Sequence, residues 1–126
     1  MRVLLLLSAL NGFLAVLCGA FGAHGLKARF AALPDGAERL EWWKTAASYH
    51  LAHALAIGLA ALVLGRAPSF AATFAGYAFA AGALLFSGSL YVLALTGTRA
   101  LGMVTPFGGL CFLVGWACLA WAAIAK

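Results

Sequence analysis

Three histidines are the residues of this chain whose type and spacing could do chemistry. His50 and His53 lie three residues apart in "SYHLAHAL", inside a mostly apolar run, and His24 follows the glycine-rich stretch "CGAFGA". Residues three apart share one face of a helix. Imidazole can ligate a metal, move a proton or form hydrogen bonds. In an apolar span it normally faces a protein partner or a water-filled cavity, because lipid would leave it unsatisfied.

A metal site would need three or four converging ligands, which makes His24, His53 and His50 the candidate set. His24 could join the other two only if its helix end bends inward. The three acidic residues of the chain all lie between the first two apolar runs, away from the histidines. That placement argues against a hard-metal site and against a carboxylate proton relay. No cofactor is expected, with a metal or haem as the alternative, and an enzyme ranks last because no nucleophile is marked.

The composition places these histidines in a membrane. Of 126 residues, 66% are hydrophobic and 9% charged, whereas soluble domains carry about 45–50% apolar and about 25% charged residues. The net charge of +5 comes from eight scattered basic residues against three acidic ones, and without a basic cluster a nucleic-acid partner is excluded. Cys18, Cys111 and Cys118 lie in apolar runs without a CxxC pair, as expected of packing residues.

Four apolar segments are each long enough for the roughly 20 residues that cross a bilayer. They lie at about 3–25, 46–64, 70–95 and 104–124, with an amphipathic, interfacial segment at 26–45. Only helices or closed barrels span lipid, and the strict alternation of barrel strands is absent. The short connections "GRAPS" and "TGTRALG" require antiparallel neighbours. The sequence therefore predicts an all-α membrane protein, a single transmembrane domain over residues 1–126 folded as an up-down four-helix bundle.

The segment between the first two spans predicts two features. Asp35 followed by Glu38 is typical of a helix start, and this helix is expected to run directly into the second span. Leu26, Phe30 and Leu33 predict a short amphipathic stretch along the membrane surface.

Antiparallel spans collect most polar residues in one half of the bundle. We name the membrane face that holds Met1 side A and the opposite face side B. The polar residues expected in the side-B half are His24, Tyr49, His50, His53, Ser87, Ser89, Tyr91 and Thr105. These residues either hydrogen-bond to one another and to backbone carbonyls, hold a lipid headgroup or ordered water, line a proton or ion pathway, or bind a metal or haem.

Basic residues are unequally divided between the two faces. Side B carries Lys27, Arg29, Arg39, Lys44 and Arg99, and side A carries Arg2, Arg66 and Lys126. The excess on side B favours a cytoplasmic side B, because Lys and Arg are enriched in cytoplasmic loops.

The glycines predict close packing of helices. Gly19, Gly22 and Gly25 lack the strand of a dinucleotide-binding fold and the Lys-Ser/Thr ending of a P-loop. In "VTPFGG", Pro106 suits the first turn of a helix and Thr105 its N-cap.

Four ordered motifs carry a family resemblance: "GAFGAHGL", "YHLAHALAI", "LFSGSLYVLALTG" and "VTPFGGLCFLVGW". Together they resemble the small four-helix inner-membrane proteins of the YgdD/YwdK type, which have no established reaction and a mitochondrial transmembrane relative in animals. The resemblance implies a bacterial inner (plasma) membrane location, and one branch is associated with membrane stability and iron homeostasis. Basic C-terminal tails among relatives favour the reverse orientation, with side A cytoplasmic.

The resemblance also separates the histidines. His24 and His53 match the family pattern, whereas His50 stands where relatives can carry glutamine. The other matching positions are Gly22, Ser87, Gly88, Ser89, Tyr91, Thr105, Pro106, Gly108, Gly109 and Trp116.

Two functional hypotheses follow from these residues. The first is a non-enzymatic protein that supports membrane integrity and homeostasis, with its polar pocket holding a lipid headgroup or ordered water. The second is a metal- or haem-binding protein or a small transporter that uses His24 and His53, helped by His50, Tyr91 and Thr105. A four-helix bundle has a thin core, so we expect membrane lipid as a partner and a small homo-oligomer, a trimer among the closed symmetries.

Overall fold

The computed structural model describes residues 1–125, so Lys126 and its predicted side-A charge lie outside the described residues. Four helices cross the bundle: α1 (Arg2–Ala31), α2 (Gly36–Arg66), α3 (Phe70–Thr96) and α4 (Thr105–Ile124), the last preceded by a 3₁₀ turn at Arg99–Met103. Each is long and apolar enough to span a membrane. Residues 1–125 contain no strand, and the predicted all-α transmembrane fold is confirmed.

The helix ends differ in part from the sequence expectation. Asp35 directly precedes α2, as predicted, but its carboxylate pairs with Arg39 at 3.0 Å instead of capping the helix. Thr105 was the expected N-cap of α4, and that expectation was wrong. Val104 takes this position, and α4 begins at Thr105 itself, whose hydroxyl contacts Ser89 at 2.7 Å.

The amphipathic stretch after the first span keeps its two faces, but its apolar face turns toward the protein. Leu26 and Phe30 are 0% and 2% exposed, packed in one cluster with Trp43 and Ala94, whereas Leu33 remains 38% exposed. Most of the polar segment between the first two spans is helical, because α1 continues to Ala31 and α2 begins at Gly36. Only a four-residue turn separates the two helices.

Helix α2 is the centre of the bundle. It packs against the other three helices, whereas α1 packs almost entirely on α2 and barely touches α3. The main core joins all four helices around side chains such as Leu4, Ile57, Phe79 and Phe112. Because α1 and α3 scarcely meet, a groove opens sideways between them.

Close contact between α3 and α4 depends on glycine. A Cβ added at Gly108 would overlap the backbone nitrogen of Phe86, and one at Gly115 would lie 2.6 Å from Cε1 of Phe79. Small residues permit this approach of membrane helices. The ring of Phe112 is seated in the same way against Gly82.

Two helices contain a π-helical turn, at Gly22–Leu26 in α1 and at Ala83–Gly88 in α3. Such turns accommodate one extra residue and occur frequently at functional sites. The first turn lies within the motif "GAFGAHGL", and the second overlaps the start of "LFSGSLYVLALTG". The turn in α3 lines the sideways groove through Ala83, Leu84 and Gly88.

Ion pairs lie at the side-B ends of the helices. Glu38 of α2 pairs with Arg99 of the 3₁₀ turn at 3.1 Å, and Glu41 pairs with Lys44 within α2 at 3.2 Å. Arg39 also donates to the Leu95 carbonyl at 3.4 Å, near the end of α3. The left-handed Gly97, with φ +70°, ends that helix.

Candidate functional site

His50 joins α2 to both α1 and α3. Its Nε2 lies 3.1 Å from Oδ1 of Asn11, and its Nδ1 lies 3.1 Å from the Tyr91 hydroxyl. The Asn11 amide nitrogen donates to the Leu7 carbonyl at 2.8 Å, which fixes the amide oxygen toward His50. An amide oxygen only accepts, so Nε2 carries the proton, and in the neutral ring Nδ1 accepts from Tyr91.

His53 joins α2 to α4 instead. Its Nδ1 donates to the Tyr49 carbonyl at 2.8 Å, and the indole N–H of Trp116 donates to its Nε2 at 3.2 Å. A carbonyl only accepts and an indole only donates, so the ring is held in the neutral, Nδ1-protonated tautomer. The imidazole also stacks on Phe112, with ring centroids 3.5 Å apart.

The three histidines therefore do not form one site. His50 and His53 bond to different helices, and His24 lies exposed on the π-helical turn of α1. Within the described part of the chain, no group of three or more His, Cys, Asp or Glu side chains could hold a metal ion. The metal set of His24, His53 and His50 is not brought together.

The predicted hydroxyl residues tie helices together. Ser87, fully buried, donates to the Ala46 carbonyl of α2 at 2.8 Å, and the Ser89 and Thr105 hydroxyls share a hydrogen bond across α3 and α4. Tyr49 is half exposed and packs its ring beside Phe86, with centroids 4.7 Å apart. These contacts account for Ser87, Ser89 and Thr105 as structural partners.

The motif glycines divide into close contacts and open positions. A Cβ at Gly22 would lie 2.6 Å from Nε1 of Trp43, whose indole donates to the Cys18 carbonyl at 2.7 Å. Gly19 has open space, and Gly25 meets only Phe21 of its own helix. Open or ordinary contacts are also found at Gly88 and Gly109. Pro106 lies in the first turn of α4, as expected.

Asn11 is the functional-site residue that the sequence interpretation missed. It is absent from the polar residues that the sequence predicts for the side-B half of the bundle. Its signal was its rarity, since it is the only asparagine of a chain without glutamine and lies near the middle of the first span. The bond to His50 needed the register of α1 against α2, which no local pattern supplies.

Two grooves flank the histidines. We name the first the α1/α3 groove; its volume is about 390 Å³ and its lining is Leu7, Asn11, Leu14, Cys18, His50, Ala80, Ala83, Leu84, Gly88 and Tyr91. We name the second the aromatic groove; its volume is about 480 Å³ and its lining is Tyr49, His53, Phe86, Pro106, Gly109, Leu110, Phe112, Leu113 and Trp116. Each groove has one histidine in its lining, and apolar surface predominates in both.

Comparison with known proteins places the chain. A family model described as a protein of unknown function (DUF423) matches residues 18–109. UPF0382 membrane protein YwdK of Bacillus subtilis is 41% identical over 98% of this chain and 98% of its own length. UPF0382 inner membrane protein YgdD of Escherichia coli is 41% identical over 98% of this chain and 90% of its own. No solved structure gives a significant match.

The family match and the two relatives named as membrane proteins agree with each other and with the four membrane-spanning helices. The matched region runs from within the first span to the first turns of the last, and it contains every site residue predicted from the sequence except Trp116. Asn11 and the groove residues Leu7, Leu14, Leu110, Phe112 and Leu113 lie outside it. The protein is a multi-pass protein of the bacterial inner membrane, and it belongs to the DUF423 family.

Proposed function

We propose that this protein is a non-enzymatic membrane protein that retains a lipid chain in the α1/α3 groove and thereby supports the integrity of the inner membrane. The observation that carries this proposal is the groove itself. It opens sideways between two helices that barely touch, and its walls are side chains such as Leu7, Leu14 and Leu84.

The polar groups of the groove favour an apolar occupant. Both ring nitrogens of His50 are engaged by Asn11 and Tyr91. Among residues 1–125, no buried side-chain nitrogen or oxygen lacks a partner. A lipid headgroup or a string of waters would need free donors or acceptors, which an acyl chain does not need. The proposal therefore replaces the expected headgroup by a hydrocarbon chain.

The depth of the groove supports the same occupant. His50 lies six residues beyond Lys44, the last charged residue before the apolar run of α2, and so about 9 Å deeper at 1.5 Å per residue. Hydrocarbon is the solvent at that level of a bilayer. Side chains that line an empty groove lack dispersion contacts on one side, so an acyl chain that fills the groove would stabilise the protein.

The alternative, a metal or haem protein or a transporter, receives less support. Each nitrogen of His53 is already used, by Tyr49 and Trp116, and a metal would have to break one of these bonds. His24 is exposed away from both. A saturable rise in thermal stability with added zinc, lost in His53→Ala, would favour this alternative.

Lipid retention can be tested by filling the groove. Gly88 lines it, has helical backbone angles, and a Cβ there would meet only Leu84 at 3.9 Å. The matched control is Gly12, where a Cβ has open space and which does not line the groove. Native mass spectrometry of protein extracted in mild detergent would count the lipids that remain bound.

We expect wild type and Gly12→Leu to retain one phospholipid per chain and Gly88→Leu to lose most of it. The reason is that the leucine occupies the space of the acyl chain. Wild-type protein that carries no phospholipid under these conditions would contradict the proposal. Equal retention by a folded Gly88→Leu protein would contradict it as well.

A further inference from the structure

The aromatic groove differs from the α1/α3 groove in the nature of its walls. Five of its lining side chains are rings: Tyr49, His53, Phe86, Phe112 and Trp116. Ligand pockets typically have volumes of about 300–1,000 Å³ and apolar, aromatic linings with few polar groups. The aromatic groove, at about 480 Å³, has the size and the surface of a small-molecule site.

These rings are fixed before any ligand arrives. His53 is held between Trp116 and the Tyr49 carbonyl and lies nearly parallel to Phe112, at an interplanar angle of 9°. Phe86 contacts both Tyr49 and Phe112, with centroids 4.7 and 5.5 Å away. His53 and Phe112 stack on each other and are only 6% and 4% exposed, so the ring surface open to a ligand belongs mainly to Tyr49, Phe86 and Trp116. Preorganised walls reduce the ordering cost of binding, and flat exposed rings suit a flat ligand.

The backbone of α4 leaves the groove open. Gly109 contributes no side chain, and a Cβ there would approach only the Phe86 ring, at 4.0 Å. Pro106 has no backbone N–H to offer. This wall is therefore apolar and offers no hydrogen bond, so that selectivity for a ligand depends on contacts with the aromatic rings.

The residues that line the aromatic groove favour an uncharged ligand. Its lining contains no Lys, Arg, Asp or Glu. Trp116 donates to Nε2 of His53, and Nδ1 of His53 donates to the Tyr49 carbonyl, so none of these groups is free for a ligand. Tyr49 remains, 46% exposed, with a hydroxyl that can donate to a ligand oxygen.

A cation on these rings is disfavoured by depth. Tyr49 lies five residues beyond Lys44, the last charged residue before the apolar run of α2, and so about 8 Å deeper, where charge is costly. A straight acyl chain has no flat face to stack against the walls. Among membrane-soluble molecules, a neutral ring with carbonyl oxygens fits the shape, the charge and the hydroxyl together.

We propose that the aromatic groove binds the ring of a lipid-soluble quinone, with a ring carbonyl accepting from Tyr49 and the tail lying in the bilayer. The site is separate from the α1/α3 groove and goes beyond the lipid-retention function. Each proposal can therefore fail without the other.

The test is a titration of the full-length protein in phospholipid nanodiscs with decylubiquinone, a short-tailed quinone. Quenching of tryptophan fluorescence should be saturable because Trp116 lines the site. Gly109→Leu should weaken binding by about tenfold or more, since the leucine fills the ring position. Tyr49→Phe keeps the ring but loses the hydroxyl, and we expect roughly threefold to tenfold weaker binding.

The control is Gly88→Leu, which fills the other groove and should bind decylubiquinone as wild type does. Absence of saturable quenching in wild type would overturn the proposal. So would equal affinity in a folded Gly109→Leu protein, or in Tyr49→Phe if Gly109→Leu does not fold. Competition by decanol at the same concentration as decylubiquinone would also overturn it, because decanol has the chain without the ring.

Discussion

At the scale of single residues, the two neighbouring histidines have opposite surroundings. His53 lies against α4 and is held by one carbonyl and one indole, whereas His50 faces α1 and α3 through an amide and a phenol. The three-residue spacing was sufficient to predict two buried imidazoles on one helix. It could not assign their partners, because a rotation of 60° about the helix axis separates them, and this angle is enough to direct each ring to a different neighbouring helix.

The bond between Trp116 and His53 should be measurable as a coupling energy. His53→Phe retains a ring against Phe112 but leaves the Trp116 N–H without its acceptor, and Trp116→Phe leaves the imidazole nitrogen without its donor. In a double-mutant cycle, we expect the effects of the two changes on the free energy of unfolding to depart from additivity by about 0.5–1.5 kcal/mol. Denaturant unfolding in detergent micelles would measure it.

Strictly additive effects of the two changes would contradict this bond. The matched control pairs His53→Phe with Ser8→Ala. Ser8 donates to the Ala54 carbonyl on the α1 side of α2, so that its loss should add independently.

At the scale of elements, the number and order of the helices were predictable, and their rotations were not. Long apolar runs predict spans by hydropathy alone. The rotation of α4 about its axis depends on which side chains and glycines meet α3. For the adjacent glycines of "VTPFGG" the sequence indicated a close contact without telling the two apart. The structure does tell them apart, since Gly108 meets the Phe86 backbone and Gly109 faces the aromatic groove.

Alanine at these two positions should therefore have unequal effects. Gly108→Ala places a Cβ against backbone that cannot rotate away, so α3 and α4 must separate, at a cost of about 1–3 kcal/mol in the free energy of unfolding. Gly109→Ala adds a Cβ at ordinary contact distance and should unfold within about 0.5 kcal/mol of wild type. Thermal unfolding of both variants in the same detergent would compare their stabilities. Equal losses of stability would contradict the close contact between Gly108 and the Phe86 backbone.

At the scale of the whole molecule, the distribution of charge favours one orientation in the membrane. The three carboxylates of the described residues all lie on side B, and each is paired with Arg39, Arg99 or Lys44. Acidic residues contribute little to topology, so the five basic residues of side B still outnumber those of side A. The predicted homotrimer remains a prediction, for which native mass measurement is the direct test.

A reporter joined after Lys126 would test the orientation. With side B cytoplasmic, the C-terminus lies outside the cytoplasm, so a fused alkaline phosphatase should be active and a fused green fluorescent protein dark. Replacing both Lys27 and Arg29 by alanine should reduce the bias and yield a mixture of the two signals. A fluorescent wild-type fusion would establish the reverse orientation.

The π-helical turn at Ala83–Gly88 gives α3 room for one extra residue without changing the direction of the side chains beyond it. Deleting one residue from this turn should therefore restore an ordinary helix and leave Ser89 facing Thr105 and Tyr91 facing His50. In the regular parts of α3 a deletion would instead rotate everything beyond it by about 100°. Relatives that keep these pairings are therefore expected to show one-residue length differences in α3 at this turn rather than in its regular parts.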